Sequence, residues 1–232
     1  FRSFFENENL RYAMIGSGSW ATALVKLLLN HQQSISWFMR NQKNIDNIRE
    51  NHHSRSYLQS VLLDPTRLNM STDINEVIES ADVLVFCVPS AYFLNVMKNF
   101  TGSLDNKFII SAIKGFVGEM NLTIAEYFHK EYDVPFDRIG IISGPCHAEE
   151  VSMERLSYLT LTSKHIEVAR ALCDVFACRY IKTTPSTDIY GVEYAAALKN
   201  IYAIAAGICH GLGYGDNFMA VLMTNAFHEL AL

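Results

Sequence analysis

The sequence has 232 residues, of which 50% are hydrophobic and 19% charged, with 12 Gly and 5 Pro. Such a composition supplies a sizeable core and excludes collagen-like, disordered and low-complexity chains, while the length leaves open one large domain or a complete domain plus part of a second. With 19 Lys and Arg against 24 Asp and Glu the net charge is −5, so no global positive field gathers nucleic acid or an anionic membrane, and an anionic ligand needs a local pocket of positive groups.

The opening residues FRSFFENENL lack the basic-then-apolar order of a secretory leader, although a chain that opens on Phe leaves room for earlier residues. Residues 12–15 predict a first strand, 20–29 a helix, 35–39 a second strand and 83–88 a buried strand. Later strands are expected at 108–111, 139–142, 158–162 and 180–183, with helices near 121–132 and 165–176. Short β-like runs alternating with helices are the pattern of parallel βαβ units, and continuous apolar runs suit strands covered on both faces. From Asp188 the character changes to long helical stretches, Ala-rich at first and broken at Gly211 to Gly215. A domain boundary near Pro185 therefore divides residues 1–185 from 186–232. The weakly polar stretch 194–215 carries one full charge, Lys199, yet Lys199-Asn200 inside it and the glycines at its end argue against a membrane span. Five cysteines, Cys87, Cys146, Cys173, Cys178 and Cys209, are odd in number and lack any C-x-x-C pair. They point to a reduced, cytoplasmic interior.

Gly16-Ser17-Gly18-Ser19-Trp20-Ala21 follows the first strand directly and opens the first helix. That context turns a weak G-x-G-x-x-G/A pattern into a dinucleotide-binding signal. The first glycine permits a tight turn, the second lets a pyrophosphate approach the backbone, and small Ala21 allows close helix-to-strand packing. Free N–H groups at the helix start then receive the phosphates. Dinucleotide folds usually end the second strand on an acid that binds the ribose 2′-hydroxyl. Here the region reads Trp37-Phe38-Met39-Arg40-Asn41, with the first acid at Asp46. Because an arginine pairs with a 2′-phosphate, NADP(H) is expected to be accepted at least as well as NAD(H).

Two lysines stand out for their uncharged neighbours. Lys114 falls at the carboxyl end of the 108–113 run, where open α/β sheets bind ligands. Lys199 lies on the Ala-rich helix beside Asn200. Each is either a snorkelling surface residue or a functional group with a depressed pKa. Ser143-Gly144-Pro145-Cys146-His147-Ala148-Glu149-Glu150-Val151 also follows a strand and opens a helix, so its first-turn N–H groups suit a second anion or the substrate, or form a bare turn. Cys146 before His147 invites a nucleophile reading, but sequence neighbours need not meet in space, and no catalytic cysteine is expected. His52-His53 lies in a polar loop, His210 and His228 lack partners at ligand spacings, and no metal site is expected.

Together these segments resemble bacterial-type NAD(P)-dependent glycerol-3-phosphate dehydrogenases. The likeness rests on Gly16 to Leu24, Val88-Pro89-Ser90, Ile113-Lys114-Gly115, Ser143-Gly144-Pro145 through Val151, Gly191-Val192-Glu193 continuing to Ala197-Leu198-Lys199-Asn200, and Gly211 to Asn217. It implies an α/β, Rossmann-type doubly wound, mainly parallel sheet followed by the start of an all-helical second domain. The implied reaction interconverts dihydroxyacetone phosphate and sn-glycerol 3-phosphate with NAD(P)H, supplying phospholipid synthesis. By resemblance Gly16, Gly18, Ser19, Trp20, Arg40 and Ala148 serve the dinucleotide. Lys114 touches cofactor and substrate, Gly144 and Cys146 contact substrate, and Lys199 is the catalytic lysine, assisted by Lys114. A homodimer is implied. Cys146 departs from the family's usual Ser or Thr, His147 from Phe, and Ala21 from Gly. The family's substrate-phosphate clamp lies beyond the motif ending at Asn217, and residues 218–232 hold no such segment. The sequence is therefore expected to be a portion of a longer protein, binding cofactor without efficient catalysis if it folds alone. Two alternatives are another Rossmann plus all-helical reductase, such as a β-hydroxyacid dehydrogenase, and a non-catalytic sensor of the nicotinamide pool.

Overall fold

Short apolar runs become the strands of one eight-stranded sheet in a computed structural model that describes residues 2–7 and 9–230. The strands are β1 (Tyr12–Ile15), β2 (Ile35–Phe38), β3 (Leu68–Ser71), β4 (Val83–Phe86), β5 (Phe108–Ser111), β6 (Ile139–Ser143), β7 (Ser157–Ser163) and β8 (Ile181–Ser186). Their order is β3-β2-β1-β4-β5-β6-β7-β8. All neighbours run parallel except β6 and β7. Every residue of β1, β2, β4 and β5 is buried, because helices cover both faces of the sheet. Strand alternation sorts the apolar side chains into two cores. Met14, Val85 and Ile110 face one way, and Ile15, Leu84, Phe86 and Ile109 the other.

The covering helices are α1 (Arg2–Phe5), α2 (Ser19–Leu28), α3 (Gln42–Asn51), α4 (Ile74–Glu79), α5 (Ser90–Met97), α6 (Ile124–Tyr132), α7 (Ala148–Ser152) and α8 (Ile166–Phe176). Two long helices follow, α9 (Ile189–Gly211) and α10 (Asp216–Leu230), with the break where the glycines predict it. Among the described residues, no helix is long and apolar enough to cross a membrane.

Differences from the sequence expectations have local causes. β3 escapes notice because it is an edge strand with alternating burial and a polar Asn69. α3 escapes because only Asn44, Ile45 and Ile48 of its ten residues are buried. The expected boundary residue Pro185 lies inside β8, paired in register with Leu161. β8 is the other edge, where a missing N–H costs no ladder bond. The helical part starts after it, at Asp188, whose side chain accepts the Gly191 N–H at 2.8 Å and caps α9.

Beyond their carboxyl ends the central strands stay linked: Gly16 donates to Phe38 O, Cys87 to Ile15 O and Ala112 to Phe86 O, at 3.3, 2.8 and 2.9 Å. The fully buried Trp37 adds a side-chain tie, its indole N–H donating to the Gly16 carbonyl at 2.6 Å. Trp37→Phe strands that carbonyl, at a cost of about 1–3 kcal/mol. The melting temperature, followed by circular dichroism, should drop by about 2–4 °C for each kcal/mol lost; an unchanged melting temperature contradicts the tie.

Candidate active site

A cleft of about 530 Å³ opens at the carboxyl ends of β1, β4 and β5. Its floor is the turn from β1 into α2. Gly16 has φ +127°, and a Cβ there would collide with the Cys87 carbonyl, so glycine is required on two counts. Gly18 is the α2 N-cap, with no side-chain cap and open space where a Cβ would stand. Thr22 returns both its N–H and its hydroxyl to Gly18 O, at 2.9 and 3.1 Å. The first turn of α2 thus faces the cleft without a protein anion on it, which suits a phosphate. Ala21 is fully buried, as close helix packing requires.

Arg40 lines the cleft beyond β2. Asp46 is held away on α3, where its carboxylate accepts from Gln42 Nε2 at 2.8 Å. The arginine therefore takes the place an acid usually holds. Tyr57 also lines the cleft, from the loop after α3, with 46% of its surface exposed. Sequence reasoning missed it; the available signal was a lone aromatic in a polar loop.

Lys114 and Lys199, singled out separately in the sequence, come together. Lys114 projects into the cleft from the end of β5. Burial, and then the adjacent Lys199 ammonium, hold its pKa below the ordinary lysine value. Lys199 comes from the exposed side of α9 and stands outside the cleft wall proper. Cys146 is the third member, close enough to feel both lysines. Its thiol donates to Tyr158 O at 2.9 Å, and burial pushes its pKa up, so it is a neutral thiol and not a nucleophilic thiolate. Gly144 does not line the cleft. Its φ is +137° and a Cβ would strike the Tyr158 carbonyl, so it acts as the turn that presents Cys146, His147 and Ala148. Ala148, the first residue of α7, does line the cleft. Arg40 and Lys114 stand on this wall with no carboxylate among the described lining residues.

Glu193 of α9 entered the sequence reading only as part of the Gly191-Val192-Glu193 motif, without a role. It is only 7% exposed, and its Oε1 accepts the N–H groups of Ile124 and Ala125 at 3.1 and 3.3 Å. Apart from that motif, its neighbours and spacing do not distinguish it from a solvated helix glutamate.

Comparison with known proteins gives the family. The N-terminal region of NAD-dependent glycerol-3-phosphate dehydrogenase matches residues 11–169, and the C-terminal region of the same family matches 188–232. The chain is 34% identical over 223 residues to glycerol-3-phosphate dehydrogenase [NAD(P)+] of Bacillus pumilus, covering 95% of this chain and 64% of that protein. It is 35% identical over 222 residues to the Clostridium perfringens enzyme of that name, covering 95% and 66%. The chain thus spans about two thirds of the length of these relatives. Among solved structures, Plasmodium falciparum glycerol-3-phosphate dehydrogenase superposes with a TM-score of 0.87 at 27% identity, over 98% of this chain and 66% of that one. With its glycine turn, its two converging lysines and both family regions in order along the sequence, the chain belongs to the NAD-dependent glycerol-3-phosphate dehydrogenase family.

Proposed function

We propose that the protein interconverts dihydroxyacetone phosphate and sn-glycerol 3-phosphate with NAD(P)H, providing glycerol 3-phosphate for phospholipid synthesis. The observation that carries this reading is the meeting of Lys114 and Lys199 beside the Gly16 turn. A cofactor-sensing module has no use for a second lysine at that point.

The residues fit a dinucleotide. Gly18 leaves room above the backbone and the first turn of α2 is uncapped, so Ser19 and Trp20 can receive the pyrophosphate while Ala148 closes the opposite wall. Arg40 suits a 2′-phosphate, and NADP(H) is accepted at least as well as NAD(H). When bound, the reduced nicotinamide supplies the hydride to the ketone carbon. Lys199, as an ammonium, gives its proton to the oxygen of the same carbonyl, and in reverse it takes the hydroxyl proton back. Lys114 stabilises the developing negative oxygen and helps hold the anionic substrate. Cys146 offers its backbone N–H where the family's hydroxyl side chain is replaced, and Gly144 sets the turn that aims it.

The same reading places the protein in the cytoplasm, where its five free cysteines suit a reducing medium. It also takes the protein to be a homodimer of a dinucleotide domain and a helical substrate domain. The exposed Ile201, Ile204 and Ile208 of α9 are apolar surface to be covered, within the helical part or across the dimer.

Lys199→Met should leave the NADPH dissociation constant near that of the parent and lower kcat by about 10²–10⁴-fold. Retention of more than about a tenth of kcat in steady-state assays rejects Lys199 as the proton donor. Arg40→Gln should weaken NADPH binding about 10-fold or more, the value of a charge-assisted contact to phosphate, while NADH changes far less. Fluorescence titration with both nucleotides checks this; equal losses rule out 2′-phosphate recognition.

A further inference from the structure

Lys199 works only if α9 is held at a fixed height and rotation against the sheet. α9 leaves β8 at an edge of the sheet, and most of its surface is exposed. Three of its residues are buried, Ile189, Glu193 and Ala196. Ile189 enters the core on one face of the sheet, and Tyr194 meets Phe116, just past Lys114, with ring centroids 5.2 Å apart. Glu193 is the one charged group among the three.

The Glu193 carboxylate lies at the amino terminus of α6. Oε1 accepts from the first two helical residues, Ile124 and Ala125. Thr123 and Glu126 form a reciprocal capping box that satisfies the remaining first-turn donors: Glu126 N–H donates to Thr123 Oγ1 at 3.3 Å, and Thr123 N–H to Glu126 Oε2 at 2.8 Å. A carboxylate from another element thus completes a helix end that its own residues cap only in part. Its other oxygen, Oε2, is buried with no partner at hydrogen-bond geometry among the described residues, although the Thr123 hydroxyl lies near enough to the carboxyl to favour its ionised form. Such a group is costly to retain for stability alone. Lys199 follows about 9 Å further along the α9 axis, turned by roughly 120° from Glu193 onto the exposed side, so the rotation of the helix fixes where it reaches.

We propose that Glu193 is a positioning residue for the reaction: its buried carboxylate fastens α9 to the amino terminus of α6 and thereby holds Lys199 against Lys114. The inference rests on the dehydrogenase reading for its kinetic consequence and on geometry alone for the clamp. Burial, with Glu126 of α6 adding to it, raises the Glu193 carboxyl from 4.5 to about 7. β6 and β7, which also pack on α9, bring no charged side chain. α10 brings Asp216, His228 and Glu229, and Tyr202 of α9 donates to Glu229 well along from Glu193. A carboxyl raised in the clamped state binds its proton more tightly there than in water. The net contribution of the buried carboxyl to the folded state is therefore greatest below pH 4.5 and declines as pH rises to about 7, burial outweighing the Thr123, Ala125 and Ile124 hydrogen bonds, which favour the ionised form.

The test uses the full-length protein with Glu193→Gln, which keeps the acceptor oxygen and the shape, and Glu193→Ala, which removes both. Glu193→Ala should lower kcat about 10- to 100-fold through misplacement of Lys199, with the NADPH dissociation constant within about twofold of the parent and with Glu193→Gln restoring most of kcat. In proton–nitrogen spectra the Ile124 and Ala125 amides should titrate near pH 7 in the parent and stay flat in Glu193→Gln. Competitive labelling with acetic anhydride reads position without turnover: once Lys199 drifts away, the Lys114 pKa rises and its reactivity at pH 8 falls about threefold in Glu193→Ala. If the parent shows no turnover of dihydroxyacetone phosphate, the reaction is misassigned, and the labelling and amide titrations still decide the clamp. Parent-like kcat in Glu193→Ala, equal losses of kcat and NADPH affinity, or unchanged Lys114 labelling each overturns the proposal. Should Glu193→Ala fail to fold, a Glu193→Gln variant whose amides still titrate near pH 7 does the same.

Discussion

Lys114 and Lys199 bring two ammonium groups together, and like charges in a partly buried site repel one another. Burial first, and then that repulsion, hold the Lys114 pKa below the ordinary lysine value, and among the described lining residues no carboxylate relieves it. An arrangement of this kind is stable only while the fold holds both groups, and it is relieved when an anion settles between them. Much of the architecture can be understood as the means of holding them. β5 is buried on every residue and ends where Lys114 begins its reach. Lys199 arrives from the far edge of the sheet by way of β8 and α9.

The dinucleotide side of the cleft obeys a different constraint, the close approach of backbones. Gly16 touches the Cys87 carbonyl, and Gly144 touches the Tyr158 carbonyl. Each turn crosses directly over a neighbouring strand, and a side chain at either position would push the strands apart. Trp37 locks the first of these turns from beneath. Net charge gains meaning here, since a chain of charge −5 offers an anion a favourable place only where groups such as Arg40, Lys114 and Lys199 and open helix ends outweigh the surrounding field.

What could be read from the sequence follows the same division. The Gly16 turn was legible because its glycines sit between an apolar run and an amphipathic helix, a local pattern with a local cause. Both lysines were legible as cations in apolar company. Their meeting was implied only by the family resemblance and not by the residues themselves, because it depends on the sheet order carrying the chain from β5 to β8 before α9 returns. β3 and α3 stayed hidden behind polar residues such as Asn69 and Asp46 that periodicity weighs as loop. Glu193 was legible only as a motif residue, and its contact stayed hidden because a glutamate on a helix is ordinarily solvated and only the tertiary fold brings the α6 amino terminus to it. Tyr57 belongs to the same class, a loop residue whose place on the cleft is decided by the turn after α3.

The central claim is that Lys114 and Lys199 together form the anion-receiving end of the cleft. Its most direct measurement is the titration of the Lys114 amine by nitrogen-detected spectroscopy on the full-length protein, with and without saturating glycerol 3-phosphate. The structure predicts a midpoint below the ordinary lysine value in the free protein, moving upward when the phosphorylated ligand screens the two ammonium groups. A midpoint in the ordinary lysine range that does not respond to the ligand contradicts the account.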